Sequence, residues 1–73
     1  MDLAAAWEIV QSATPAGWSV GRPIFFGNDR WAVWAVGPTP SLERRLPAQI
    51  EGTGATEARA VVDLAAKLRR GAR

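Results

Sequence analysis

Gly27-Asn28-Asp29 stands between two runs rich in β-branched and aromatic residues, Trp18 to Phe26 and Trp31 to Val36. Glycine, asparagine and aspartate tolerate the left-handed backbone that tight hairpin turns demand, and those turns match the twist of the strands they join. An antiparallel β-hairpin is therefore expected. A hairpin alone is marginal in water, so the flanking sequence must supply another strand and an apolar cover.

It supplies both. Asp2 can cap a helix in which Leu3, Ala6, Trp7 and Val10 recur at helical spacing, with Glu8, Gln11 and Ser12 opposite. Thr14-Pro15-Ala16-Gly17 ends it, because proline disfavours the helical conformation at the preceding residue. After Gly37-Pro38-Thr39-Pro40-Ser41, a third strand is expected around Arg45 to Gly52, where Leu46, Ala48 and Ile50 alternate with Arg45, Pro47, Gln49 and Glu51. Pro23 and Pro47 fall in the first and third strands and none in the second. Proline is tolerated at sheet edges, so the second strand should be central. Thr56 can cap a last helix with Glu57 in its first turn; Ala58, Val61, Leu64, Ala65 and Leu68 form its apolar face. Arg59, Asp63, Lys67 and Arg70 are expected on its far side as a solvated i,i+4 surface. The fold class is α+β: an α-β-β-β-α order in one domain spanning residues 1–73, a three-stranded antiparallel meander with two helices packed on one face.

The order α-β-β-β-α, with Gly52-Thr53-Gly54-Ala55-Thr56 opening the last helix, resembles a double-stranded-RNA-binding domain, whose last helix typically follows a G-x-G-x-S/T segment. The family holds phosphates with lysines at the start of that helix. The matching positions here carry Glu57, Ala58 and Val61, so the resemblance implies the fold without RNA binding. The segment Gly54-Ala55-Thr56-Glu57-Ala58 is also similar to one that precedes a helix in HicB-like antitoxins, which neutralise a partner protein. As a short Trp-rich chain ending in a helix of this kind, the protein also resembles small bacterial and phage proteins, which implies an accessory role.

Seventy-three residues bury only ~60% of the surface their unfolded chain exposes, a size at which staples or partners are usual. The chain has no cysteine and no histidine, which excludes disulfides, thiolate zinc sites and the commonest general base. Tyrosine is absent too, and the carboxylates Asp2, Glu8, Asp29, Glu43, Glu51, Glu57 and Asp63 mostly read as caps, turns or surface charge. No enzyme, cofactor or metal is expected. The pI of about 10.5 reflects a net charge of only +2, because almost nothing titrates between the carboxylates and the guanidinium groups. No apolar run approaches the ~18 residues of a membrane span, and Met1-Asp2-Leu3 lacks the basic start of a secretory signal. A cytoplasmic location is expected.

Four tryptophans are many for this length. With Asn28-Asp29 as a two-residue turn, Phe26 faces Trp31 and Ile24 faces Val33, and these with Ala35 form the face the helices cover. Phe25, Trp34 and Val36 then point to the uncovered face; a one-residue change in loop length swaps these two sets, and either way one aromatic set is left on the side without helices. Two explanations compete: a small core needs large rings, or an apolar patch awaits a partner protein or a second copy. The expected function is a small non-catalytic protein-binding module, an inhibitor or antitoxin-like factor that occludes a partner, with Phe25, Trp34 and Val36 at the contact and Arg22 and Arg45 at its rim. A homodimer through the same face or through an edge strand is compatible with it. The alternative is nucleic-acid binding through Arg44, Arg45, Lys67, Arg69, Arg70 and Arg73, with binding that weakens steeply in salt. Gly52-Thr53-Gly54 lacks the remaining residues of a phosphate loop and is read as a strand turning into a helix.

Overall fold

A computed structural model describes residues 2–38 and 48–71. Asp2 caps α1 (Leu3–Ala13), its Oδ1 accepting the Ala5 N–H at 2.7 Å. The helix stops at Thr14, whose hydroxyl donates back to the Val10 carbonyl at 2.6 Å before Pro15. Thr56 caps α2 (Glu57–Gly71): its Oγ1 accepts the Arg59 N–H at 3.1 Å, and Glu57 occupies the first turn. Both caps stand where the sequence places them.

Between the helices lies an antiparallel sheet of β1 (Ser19–Val20), β2 (Ile24–Phe25), β3 (Trp31–Val36) and β4 (Gln49–Gly54). The β3 strand is central: β4 runs along one edge, and β1 and β2 lie end to end along the other. The segment expected to be one strand is thus broken at Gly21-Arg22-Pro23. Gly21 still donates to the Trp34 carbonyl, but Ile24 pairs with Ala32, so strand one carries one residue more than β3 across this stretch. Pro23, with no N–H to give, sits inside that bulge, on an edge as expected.

The third strand ends later than the sequence suggests. Strand β4 runs Gln49–Gly54, two residues past Gly52; Arg45, Leu46 and Pro47 of the expected strand lie outside the described residues. Register explains the shift. Ile50, Gly52 and Gly54 pair with Ala35, Val33 and Trp31, so the inward row of β4 is isoleucine followed by two glycines. A Cβ on Gly52 would stand 2.5 Å from the Ala60 carbonyl oxygen and from Leu64, and one on Gly54 2.7 Å from the Ala60 nitrogen. The two glycines therefore let α2 lie directly on the strand.

The core forms where α2 meets β3 and β4 and where α1 leans on α2. Ala6 and Val10 of α1, Val33 and Ala35 of β3, and Ala60, Val61, Leu64, Ala65 and Leu68 of α2 are its buried members. Each of the valines and leucines contributes about 1.5–3 kcal/mol by leaving water. Helical spacing alone does not mark Ala60 as core, because its burial depends on the glycines opposite it. Trp7, Trp18 and Trp31 pack partly buried against this cluster, and Trp18 lies against Gly37, where an added Cβ would meet its ring at 3.0 Å. Three of the four indoles therefore serve the core.

Candidate interaction surface

The turn fixes which aromatic residues share a face. Asn28 and Asp29 are its two central residues, at φ 52° and 54°, and Arg30 donates to the Gly27 carbonyl at 3.0 Å. This is the two-residue turn the sequence predicts. The partner of the Arg30 carbonyl, however, is the Phe26 N–H at 2.8 Å, so Gly27 at φ 85° is an additional bulged residue. The pairing becomes Phe25 with Trp31 and Ile24 with Ala32, one residue away from the expected register.

That single step corrects the expected patch. Trp34 and Val36 lie on the side of the sheet away from the helices, as anticipated. Phe25 does not join them: it pairs with Trp31, the ring centroids 5.1 Å apart, on the helix side. Phe26 and Ile24 change over in the opposite direction. Phe26 meets Trp34 edge to face, centroids 6.0 Å apart and planes at 75°, a favourable aromatic geometry. Neither phenylalanine could be placed from the sequence until the Gly27 bulge was seen; a glycine directly before Asn-Asp was the available signal.

The helix-free face thus carries Ile24 and Phe26 from β2 and its turn, and Ala32, Trp34 and Val36 from β3. Ala32 is only 2% exposed and lies outside the main core cluster, which shows that these side chains already pack on one another. Ile24 and Phe26 remain 50% and 56% exposed, and Phe25 across the sheet 54%. Arg30 and Glu51 border a shallow depression floored by Ala32, with Phe26 and Trp34 as its walls. Arg22 is exposed at the bulge beside this face. Arg45 lies outside the described residues.

Of the basic residues proposed for nucleic acid, Lys67, Arg69 and Arg70 are described, all near the end of α2. Lys67 is engaged: its Nζ donates to the Glu51 carbonyl at 2.9 Å and pairs with the Asp63 carboxylate at 3.0 Å. Asp63 in turn accepts the Thr53 N–H at 2.9 Å. The pair expected on a solvated helix face instead reaches over the outer edge of β4 and satisfies one donor and one acceptor there. Partial burial pushes the Asp63 carboxyl up, but the Thr53 N–H, Lys67 and Arg70 together outweigh it and hold it below its ordinary value. Arg69 and Arg70 are exposed in the last turn of α2, where the helix dipole favours cations. Arg44 and Arg73 lie outside the described residues.

Among the described residues, no helix is long and apolar enough to cross a membrane. No protein-family model matches the chain, no curated protein matches it, and no solved structure matches it.

Proposed function

We propose that this chain is a small non-catalytic module that binds a partner protein through the helix-free sheet face and acts by occluding it, as an inhibitor or antitoxin-like factor does. The observation that carries the reading is the joined apolar surface of Ile24, Phe26, Trp34 and Val36, with Ile24 and Phe26 half open to water. Aromatic residues ringed by arginine and acid side chains are the composition of binding hot spots, and here Arg22, Arg30 and Glu51 supply the rim. The α-β-β-β-α order supports a double-stranded-RNA-binding-domain-like arrangement put to protein binding, since Glu57 stands where that family meets phosphate. Self-association through a strand edge is compatible with this reading.

Trp34→Ala is the test. Its ring is partly buried, so folding is first checked by circular dichroism; the folded variant should then lose capture of the partner that the wild-type chain retains from lysate of its source. Undiminished capture by a folded Trp34→Ala protein refutes the proposal. A parallel salt titration with duplex RNA, duplex DNA and single strands separates the classes: tight binding that falls steeply with salt makes nucleic acid the ligand instead.

A further inference from the structure

The exposed apolar residues of β2 do not belong to one face. Ile24 and Phe26 project from the helix-free side and Phe25 from the helix side, each about half exposed. A ligand lying flat on either face covers only part of the set. A ligand that meets the sheet edge-on covers all of it.

The backbone at that edge is open to such a ligand. Phe26 turns its N–H inward to Arg30, and antiparallel alternation therefore turns the N–H and C=O of Phe25 outward, where no partner is found among the described residues. The opposite edge differs: at β4 the Thr53 N–H and Glu51 carbonyl are occupied by Asp63 and Lys67. The chain itself occupies one donor and one acceptor at the β4 edge, whereas among the described residues it occupies neither at Phe25.

We infer that the β2 edge pairs with the β2 edge of a second copy of this chain, forming a closed two-fold dimer in which the sheet runs continuously through both copies. An antiparallel two-fold pairing sets residues of like face opposite one another. With Phe25 at the axis, its N–H and C=O exchange two hydrogen bonds with Phe25 of the second copy, and Ile24 comes opposite Phe26. In this register Arg22 comes opposite Asn28 of the second copy, so no like charges are set directly against each other. The Arg22-Pro23 bulge on one side and the Gly27 bulge on the other confine the ladder to a few residues. The contact uses the same edge on both copies, so it is closed and pairing through it stops at two copies. Two half-exposed phenylalanines and an isoleucine offer about 300 Å² per copy, which places the contact among weak, concentration-dependent interfaces.

This inference shares Ile24 and Phe26 with the partner-binding reading but turns on Phe25 and the edge, so Phe25→Lys and Trp34→Ala test the two apart. Light scattering after size exclusion of the full chain should show the mass rising with concentration from the 7.8 kDa monomer towards twice that value at high micromolar concentration. Phe25→Lys, with its fold verified by circular dichroism, should stay at the single mass. Trp34→Ala should dimerise like the wild type. The chain has no cysteine, so mixing singly substituted Ile24→Cys and Phe26→Cys chains in equal amounts under oxidation should trap the mixed disulfide-linked dimer well beyond the twofold excess over either self-linked one that random pairing gives. A single mass at every concentration overturns the inference. So does a dimer indifferent to Phe25→Lys, or linking in the 1:2:1 ratio of random pairing.

Discussion

Adding one methyl group at Gly52 should damage this protein more than removing most side chains would. The new Cβ would lie 2.5 Å from the Ala60 oxygen, the Leu64 nitrogen and the Leu64 Cβ, whereas ordinary contact begins near 3.4 Å. Two of those atoms are backbone, so no rotamer change relieves the clash; α2 must withdraw from β4 by about 1 Å. A gap of ~0.5–1 Å forfeits a quarter to a half of each dispersion contact along the withdrawn surface, where Val61, Leu64 and Leu68 meet the sheet. Overpacking costs typically about 1–3 kcal/mol, and the backbone clash puts Gly52→Ala at the top of that range, about 3 kcal/mol. A chain of this length has on the order of 4–11 kcal/mol in total. Urea denaturation followed by tryptophan fluorescence measures the loss directly, and with a slope of about 1 kcal/mol/M the midpoint should fall by about 2–3 M. Gly27→Ala is the comparison: nothing crowds its Cβ, but φ 85° strains an alanine by about 1–2 kcal/mol without moving α2. A Gly52→Ala protein within about 1 kcal/mol of wild type would show that the close approach of helix and strand is not what makes glycine necessary there.

Asp63→Asn breaks the ion pair with Lys67 and weakens the cover on β4. Because the folded carboxyl is held below its ordinary value of 3.8, Asp63 stabilises the fold above that pH and loses this contribution as the pH falls through the folded value. The pair is 35–40% exposed and screened by solvent, so the wild type should exceed the variant by less than about 1 kcal/mol at neutral pH, with the gap closing under acid. A gap unchanged on acidification in denaturant titrations contradicts the assignment. At the turn, Asp29→Val forces a β-branched residue into φ 54° and should cost about 1–2 kcal/mol, whereas Asp29→Gly should be neutral or slightly stabilising. Thermal melts of the two variants decide it: equal shifts would mean that the turn can adopt another backbone conformation.

Local chemistry was enough to place both helix caps, the central position of β3, the Asn28-Asp29 turn and the covered side of β3. Each follows from a residue acting on its own neighbours: a carboxylate or hydroxyl on a nearby N–H, a proline without a donor, a side chain that tolerates positive φ. The candidate surface was legible to the same extent. Trp34 and Val36 stand on the helix-free face because the alternation along β3 puts Val33 and Ala35 inward.

Tertiary structure decided the rest, and the reason is that pairing counts residues across two strands at once. The glycine before Asn28-Asp29 permits a bulge but does not require one, yet that one unpaired residue moves Phe25 to the helix side and brings Phe26 to Trp34. The same holds for Gly52 and Gly54, whose meaning lies in the backbone of α2 above them, and for Asp63 and Lys67. Their spacing predicts an ordinary surface pair; only the strand beneath the helix gives them an open edge to close.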